Sequence, residues 1–209
     1  MRQIAEALLE IEAVTLSPEN PYTWSSGMKS PIYCDNRLTL SYPEVRDIIV
    51  EALVEAVRPL GADVIAGTAT AGIPHATLLA DRLGLPLVYV RSSAKGHGKG
   101  NQIEGRFAPG ARVVVIEDLL STGSSSIEAA KAIQKAGGDV ITIQAIFSYS
   151  LSRLAINLLD SGVNAHALTT LGELLEVALE TGVISESEAA SLYEWQHDPQ
   201  SWSEHVTSK

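Results

Sequence analysis

Hydrophobic and polar positions follow two alternating patterns along this chain. Short apolar runs rich in β-branched residues are typical of strands buried on both faces of a parallel sheet. Between them, apolar residues recur every three or four positions, as on one face of a helix. The runs predict strands over 63–67, 87–90, 113–116, 139–147 and 165–168. The spacing predicts helices over 2–13, 43–60, 73–83, 127–136, 151–159, 171–179 and 186–195. This alternation is typical of an α/β fold with a mainly parallel sheet flanked by helices.

Two segments do not follow these patterns. Residues 17–37 contain prolines, Gly27 and several small polar residues, which disfavour a helix. The same segment contains the aromatic and basic residues Tyr22, Trp24, Lys29, Tyr33 and Arg37. Its composition is equally consistent with a flap over a ligand site and with a surface loop pinned by aromatic side chains. The tail from His197 is polar, with Trp202 as its large apolar residue, and no element is predicted there.

Residues 112–126, RVVVIEDLLSTGSSS, combine three features. A buried strand over 113–116 ends at the adjacent carboxylates Glu117 and Asp118. A hydroxyl-rich turn over 121–126 then leads into the predicted helix 127–136, which ends at a glycine pair. The start of a helix presents unpaired N–H groups and a partial positive charge, so this turn predicts an anion site, with phosphate as its usual occupant.

The carboxylate pair requires a different explanation. Successive side chains of a strand point to opposite faces, so Glu117 and Asp118 cannot both face one ligand atom unless the chain bends. Carboxylates repel phosphate, but they accept hydrogen bonds from sugar hydroxyls or act through Mg²⁺. Together, turn and carboxylates indicate a phosphorylated sugar. The alternative is an ordinary strand–loop–helix corner with solvated acids and capping serines.

Residues 68–72 form a second small-residue turn, between the predicted strand 63–67 and the helix 73–83. The turn contains Gly72 and has the size of a phosphate site. It lies at the C-terminal end of a strand, where ligands bind in open α/β sheets.

Residues 91–106 combine cationic side chains with glycines at a density that disfavours fixed structure. The cationic side chains near its start are Arg91, Lys95, His97 and Lys99. Such a loop suits a lid that closes over a polyanion, and the alternative is an exposed hairpin. Its spacing matches neither a Walker A loop nor a dinucleotide-binding fingerprint.

Composition narrows the class of protein. The length of 209 residues fits one domain, and the net charge of −10 disfavours nucleic acid as the main partner. We find no apolar run near the roughly 18–20 residues that span a bilayer, and the acidic, helical start is unlike a signal peptide. Cys34 is the only cysteine, which excludes an intrachain disulfide and indicates a reducing compartment. No Cys/His spacing indicates zinc.

Several motifs resemble one family. EDLLSTGSS at 117–125 resembles the phosphoribosyl-pyrophosphate (PRPP) signature of type I phosphoribosyltransferases. Other segments resemble the orotate phosphoribosyltransferases within that class, and with them the resemblance runs essentially end to end. They are WSSGMKSPIYCDNR at 24–37, GTATAGIPHA at 67–76, RSSAKGHGKGNQIEG at 91–105 and LTTLGELLEVALETGVIS at 168–185.

The resemblance implies a reaction and an assembly. The reaction is the Mg²⁺-dependent conversion of orotate and PRPP to orotidine 5′-monophosphate and pyrophosphate, in cytoplasmic pyrimidine synthesis. Mg²⁺ would be held mainly by PRPP, without a firm protein ligand. The chain would be a single type I phosphoribosyltransferase domain over 1–209, with residues 1–40 contributing a hood over the base. It would form a homodimer in which loop 91–106 covers the partner's site, without nucleic acid or membrane partners.

The resemblance also implies roles for individual residues. Glu117 and Asp118 would hold the ribose hydroxyls. The residues implied for the rest of PRPP are Leu119, Leu120, Ser121, Thr122, Gly123, Ser124 and Ser125, the pyrophosphate turn Thr70, Ala71 and Gly72, and the loop residues Arg91, Lys95 and His97. The residues implied for orotate are Ser121, Lys29, Tyr33 and Cys34. The catalytic group would be Lys95, His97, Arg91 and Asp118, because charge develops on the departing pyrophosphate and must be stabilised there.

The chain departs from the family pattern at several positions. Ser92, Ser93, Ala71 and Ser25 stand where family members often carry lysine, which bears on PRPP affinity more than on reaction type. Lys99 would compensate in part. Three alternatives remain open at this stage: a purine phosphoribosyltransferase, a non-enzymatic PRPP-binding regulator, and a paralogue that binds PRPP without efficient turnover.

Overall fold

The computed structural model describes residues 2–24, 26–92 and 102–208, and a mainly parallel sheet is its central element. The strands are β1 (Val14–Leu16), β2 (Tyr22–Thr23), β3 (Lys29–Ser30), β4 (Ile32–Cys34), β5 (Val64–Thr68), β6 (Leu87–Val90), β7 (Ile103–Glu104), β8 (Arg112–Leu120), β9 (Asp139–Ser148) and β10 (Ala165–Thr170). The helices are α1 (Arg2–Glu10), α2 (Pro43–Val57), α3 (Gly72–Leu83), α4 (Ser124–Lys135), α5 (Ser152–Ser161), α6 (Leu171–Glu180), α7 (Glu186–His197) and α8 (Pro199–Thr207). Short 3₁₀ turns cover Asn36–Ser41 and Arg58–Leu60.

The six-stranded sheet has the order β10-β9-β8-β5-β6-β7. All neighbouring pairs are parallel except β6 and β7, which are antiparallel. Chain order reverses between β5 and β8, because β6 lies on one side of β5 while β8 and β9 follow on the other. In open α/β sheets, the crevice outside the carboxyl ends of the strands at such a reversal is where ligands bind. The predicted fold class is confirmed.

Two apolar layers cover the faces of this sheet. Successive residues of β8 alternate between them, with Val114 and Ile116 in one and Val113 and Val115 in the other, all at 0% exposure. Helices α1, α2, α3, α6 and α7 pack in the first layer, whereas α4 and α5 pack in the second. The near-continuous apolar run of β8 is therefore explained by burial on both faces. No helix among the described residues is long and apolar enough to span a membrane.

The structure corrects several predicted elements. Strand β8 extends to Leu120, beyond the predicted 113–116, so the carboxylate pair lies inside it. The polar tail forms α8, which Asp198 caps and in which Trp202 is buried. Strand β7 pairs with β6, although it lies in segment 91–106, which we predicted to lack fixed structure. Helix α1 ends at Glu10, short of the predicted residue 13.

Candidate active site

Two turns meet where the strand order reverses. The β5–α3 turn consists of residues 69–71, and the β8–α4 turn consists of residues 121–123. The register pairs Gly67 with Ile116; β5 ends at Thr68, whereas β8 continues to Leu120. The two turns follow the carboxyl ends of adjacent parallel strands. Both turns predicted to bind anions therefore lie on one edge of the sheet.

The β8–α4 turn leaves the start of α4 open to a ligand. Gly123 precedes the helix with a φ of 75°, a left-handed conformation that favours glycine. A Cβ there would lie 2.6 Å from Leu154 Cδ1, the end of a flexible side chain. Within the described residues, no side chain caps this N-terminus. The hydroxyl groups of Thr122 and Ser124 lie 3.1 Å apart at its mouth. First-turn N–H groups and hydroxyl groups together form a site suited to phosphate.

The β5–α3 turn packs closely against β8. A Cβ on Gly72 would lie 2.4 Å from Thr68 Oγ1 and 2.5 Å from the carbonyl oxygen of Ile116. Only glycine therefore permits this approach, although its φ is not in the left-handed region. Ala71 precedes α3, and no side chain in the described part of the chain caps this second helix start. The peptide bond between Ala69 and Thr70 is cis.

The two carboxylates have different environments. Glu117 is buried at 6% exposure, whereas Asp118 is partly exposed, as strand alternation predicts. Glu117 Oε1 lies 2.7 Å from Thr68 Oγ1 and accepts the Asp118 N–H at 3.0 Å. Burial, reinforced by the Asp118 carboxylate, raises the pKa of Glu117 to about 8. Burial therefore favours the neutral form of the Glu117 carboxyl group, and Asp118 is the more accessible acceptor.

A buried hydrogen-bond network, which the sequence did not indicate, holds the backbone of Asp118. Asn36 is 1% exposed, and its Nδ2 donates to the Asp118 carbonyl at 2.7 Å. Thr39 Oγ1 donates to the Asn36 carbonyl at 2.6 Å and lies 3.3 Å from His75 Nε2. Burial lowers the pKa of His75 to about 4, so the ring is neutral at pH 7. This network fixes the residues after β4 against the end of β8.

The segment 17–37 is pinned by aromatic side chains and also lies beside the carboxylates. Trp24 stacks on Tyr149 with ring centroids 6.4 Å apart and meets the edge of Trp195 at 5.9 Å. Tyr149 and Trp195 contact each other at 5.3 Å. Such pairs each contribute about 0.5–1.5 kcal/mol beyond their burial. The two interpretations of this segment are therefore compatible.

Two of the residues predicted to contact the base, Cys34 and Tyr33, lie on the same side of the site as Asp118. Burial, followed by the charge of Asp118, raises the pKa of the Cys34 thiol above its ordinary value. Burial also raises the pKa of Tyr149, with Cys34, Tyr33 and Asp118 contributing. The charge of Asp118 therefore acts on both Cys34 and Tyr149. Tyr149, which follows strand β9, was not predicted. Tyr33 is 46% exposed and packs on Tyr22.

Lys29 is held within the β2–β3 hairpin. Its Nζ donates to Thr23 Oγ1 at 2.8 Å, and its backbone N–H donates to Ser203 Oγ of α8 at 2.8 Å. The C-terminal helix therefore anchors this hairpin, which the polar tail of the sequence did not indicate.

Leu119 and Leu120 contribute to the strand rather than an open surface. The Leu120 side chain is buried at 2% exposure, and its carbonyl accepts the Tyr149 N–H at 3.0 Å. Leu119 is partly buried against the apolar layer to which α1 and α2 contribute. Their backbones are therefore the parts that lie nearest to the turn.

The described base of loop 91–106 is ordered. The Arg91 N–H donates to the Gln102 carbonyl at 2.9 Å, and Gln102 Nε2 donates to the Arg91 carbonyl at 2.8 Å. The Arg91 guanidinium lies 3.6 Å from a Glu104 carboxylate oxygen. The other predicted loop residues lie outside the described residues, as does Ser25; they are Ser93, Lys95, His97 and Lys99.

In the described ranges, no group of three or more His, Cys, Asp or Glu side chains could hold a metal ion. Asp118 is partly exposed beside the β8–α4 turn, which suits an ion that arrives on a phosphorylated ligand. Glu117 is a poorer ligand, because its carboxyl group is buried and its Oε1 already accepts hydrogen bonds from Thr68 and the Asp118 N–H.

Comparisons with known proteins agree with this geometry. A model of the phosphoribosyl transferase domain matches residues 39–158. The orotate phosphoribosyltransferase of Listeria monocytogenes serotype 4b is 53% identical over 203 residues, covering 96% of this chain and 97% of that protein. The orotate phosphoribosyltransferase of Cutibacterium acnes is 51% identical over 205 residues, covering 97% and 95%.

Solved structures show the same fold. Orotate phosphoribosyltransferase from Aeropyrum pernix has a TM-score of 0.75 and 30% identity, covering 87% of this chain and 99% of that chain. Leishmania donovani UMP synthase has a TM-score of 0.79 and 28% identity. The match covers 93% of this chain but 42% of the UMP synthase chain.

Proposed function

The chain belongs to the orotate phosphoribosyltransferase family, and on that premise we propose how its residues divide the work. The reaction transfers a 5-phosphoribosyl group from PRPP to orotate, which makes the protein a pentosyltransferase of pyrimidine biosynthesis. One observation carries the assignment of roles: two uncapped helix starts flank a carboxylate pair where the strand order reverses. PRPP has an anionic group at each end of a sugar, and this arrangement is complementary to it.

The β8–α4 turn binds the 5-phosphate group. Its ligands are the hydroxyl and N–H groups of Ser121, Thr122, Gly123, Ser124 and Ser125, with the backbones of Leu119 and Leu120 supporting them. The β5–α3 turn, with Thr70, Ala71 and Gly72, binds the pyrophosphate. Asp118 accepts hydrogen bonds from the ribose hydroxyls, and Glu117 joins it when its carboxyl group is ionised.

Orotate lies between the hood and the carboxylates. Ser121, Lys29, Tyr33 and Cys34 contact it, and Tyr149 closes the pocket from below. The neutral, partly buried Cys34 thiol contributes packing rather than charge, because its pKa is raised. Residues 1–40 act as a hood on a single domain that spans 1–209.

The chemical step requires stabilisation of charge on the leaving group. Breaking the bond at the anomeric carbon leaves an oxocarbenium-like ribose and a pyrophosphate anion. Arg91, Lys95 and His97, supplied by the partner subunit of a homodimer, place positive charge where that anion develops. Mg²⁺ carried by PRPP would add positive charge there, and the partly exposed Asp118 carboxylate would be available to hold the ion.

The cellular setting follows from the reaction and the composition. We assign the protein to the cytoplasm, where pyrimidine precursors are made, and to no nucleic-acid partner, because a net charge of −10 repels a phosphate backbone. Loop 91–106 is shared across the dimer interface, so each site is complete only in the dimer.

The test is a spectrophotometric assay with purified protein, orotate, PRPP and Mg²⁺. We expect loss of orotate absorbance that requires PRPP and stops when EDTA removes the metal. Adenine and hypoxanthine in place of orotate should give no nucleotide product. Turnover of a purine base without turnover of orotate would refute the assignment of the base.

A further inference from the structure

His75 connects the start of helix α3 to the buried hydrogen-bond network beside β8. It lies in the first turn of α3, shortly after Gly72 of the β5–α3 turn, and it is 1% exposed. Its Nε2 lies 3.3 Å from Oγ1 of the fully buried Thr39. From Thr39 the network continues through Asn36 to the Asp118 carbonyl. Hydrogen bonds therefore join the proposed pyrophosphate turn to the backbone of the proposed ribose-binding residue.

The direction of these hydrogen bonds assigns a proton to Nε2 of the His75 ring. The Thr39 hydroxyl group has one proton, which it donates to the Asn36 carbonyl at 2.6 Å. Thr39 Oγ1 therefore accepts a hydrogen bond from His75 Nε2–H. Because a charged imidazole also carries a proton on Nε2, this contact does not depend on the protonation state of the ring. Nδ1 has no hydrogen-bond partner within the described residues, so His75 acts in the network through Nε2.

The start of α3 is attached to β8 at two points. Gly72 packs closely on the strand, since a Cβ there would lie 2.5 Å from the Ile116 carbonyl oxygen. Such packing limits how near the helix can approach, but it has no preferred direction. The hydrogen bond of His75 is directional, so it also restricts rotation and sliding of the first turn of α3 relative to β8.

We propose that His75 is a positioning residue whose hydrogen bond to Thr39 keeps the β5–α3 turn at a fixed distance from Asp118, so that PRPP can bind both at once. The inference rests on the proposed function, because it takes the turn as the pyrophosphate site and Asp118 as the ribose site. His75 itself is buried and does not touch PRPP. Without its hydrogen bond, each site keeps its own groups while their spacing varies, so a ligand that spans both sites loses affinity.

The experiment compares two ligands by calorimetry on the full-length protein with Mg²⁺. PRPP spans both sites, whereas inorganic pyrophosphate needs the β5–α3 turn alone. His75→Asn removes the donor, because the asparagine side chain reaches only to the position of Nδ1. His75→Gln retains a donor, because its amide N–H group reaches the position of Nε2. His205→Asn is the matched control, since His205 is exposed on α8.

We expect His75→Asn to weaken PRPP binding about tenfold, which is the effect of losing one hydrogen bond in a buried network. Pyrophosphate binding and the KM for orotate should stay within about twofold of the wild type, since the groups that bind them are unchanged. PRPP binding to His75→Gln should be restored to within about threefold of the wild type, and His205→Asn should bind PRPP as the wild type does.

Thr39→Val tests whether His75 acts through Thr39. It replaces the hydroxyl group by a methyl group, and it should also weaken PRPP binding about tenfold. Adding His75→Asn to Thr39→Val should weaken PRPP binding by no more than about a further twofold, because the two residues act through one contact. Independent effects would instead multiply to about 100-fold.

Equal losses of PRPP and pyrophosphate binding in His75→Asn would overturn the proposal, because they would indicate local damage to the turn. Effects that multiply in the double variant would overturn it as well. Absence of PRPP binding and of orotate turnover in the wild type would instead refute the proposed function. Nitrogen-15 NMR of the free protein then tests His75 without a ligand: the ring proton should lie on Nε2 and exchange faster in Thr39→Val, whereas a proton on Nδ1 alone would contradict the proposal.

Discussion

Replacing Gly72 with alanine tests whether the β5–α3 turn must pack directly on β8. The added Cβ would lie 2.4 Å from Thr68 Oγ1 and 2.5 Å from the Ile116 carbonyl oxygen, where ordinary contacts are 3.4–4 Å. The Ile116 oxygen belongs to a buried central strand and cannot move aside. The start of α3 must therefore move away from β8 by about 1 Å, at a cost typical of overpacking, about 1–3 kcal/mol.

The expected result has a thermodynamic part and a kinetic part. Thermal unfolding of Gly72→Ala should begin several degrees lower, since about 1 kcal/mol corresponds to about 2–4 °C for a chain of this size. A displacement of this size beside the reacting group should lower kcat/KM for PRPP by about 10–100-fold. Orotate binding should change less, because the proposed site places the base on the other side of the ribose.

Gly172→Ala is the matched control. Gly172 lies in the first turn of α6, and the nearest atom to an added Cβ is 3.9 Å away. The control should be neutral or slightly stabilising, since alanine restricts the unfolded chain more than glycine does. Wild-type stability together with wild-type kcat/KM in Gly72→Ala would refute the packing argument.

Three further substitutions test other parts of the site. Asn36→Ala removes the donor to the Asp118 carbonyl and should lower the free energy of unfolding by about 1–3 kcal/mol in urea titrations. It should also raise the KM for PRPP. Trp24→Ala removes two aromatic contacts and should cost about 2 kcal/mol, with a raised KM for orotate and little change for PRPP. Lys95→Ala should lower kcat by about 10²–10³-fold, as loss of a donor to developing charge does in other enzymes.

Each of these substitutions has an exposed counterpart that should behave as the wild type. The counterparts are Asn20→Ala, Tyr193→Ala and Lys131→Ala. If Asn36→Ala were as stable as Asn20→Ala, the buried hydrogen-bond network would make no contribution to the free energy of unfolding. An unchanged KM for orotate in Trp24→Ala would show that the hood does not contribute to base binding. Full turnover of Lys95→Ala would show that Lys95 has no role in the reaction.

The main sheet and its turns could be predicted because their information is local. Buried parallel strands are apolar runs, and small-residue turns lead from two of them into helices as expected. Anion binding at these turns stays a prediction. The predicted end of β8 was wrong because two carboxylates look like a loop in the sequence. They continue the strand because Thr68 and the Asp118 N–H provide partners for the buried Glu117.

The missed features depend on distant residues. Asn36 and Asp118 are 82 positions apart, and nothing near Asn36 in the sequence indicates its partner. Helix α8 has a polar sequence, and it packs through Trp202 and binds the Lys29 N–H through Ser203. Tyr149 lies near Cys34 because of the order of the strands in the sheet, which could not be predicted from the sequence.

The central claim is that PRPP spans the two turns on either side of the strand reversal. A crystal structure of the protein with PRPP and Mg²⁺ tests it most directly. The account predicts the 5-phosphate on the N–H groups at the start of α4, the pyrophosphate at residues 70–72, and ribose hydroxyls on Asp118. A 5-phosphate bound away from the β8–α4 turn, or a pyrophosphate that does not touch the β5–α3 turn, would contradict it.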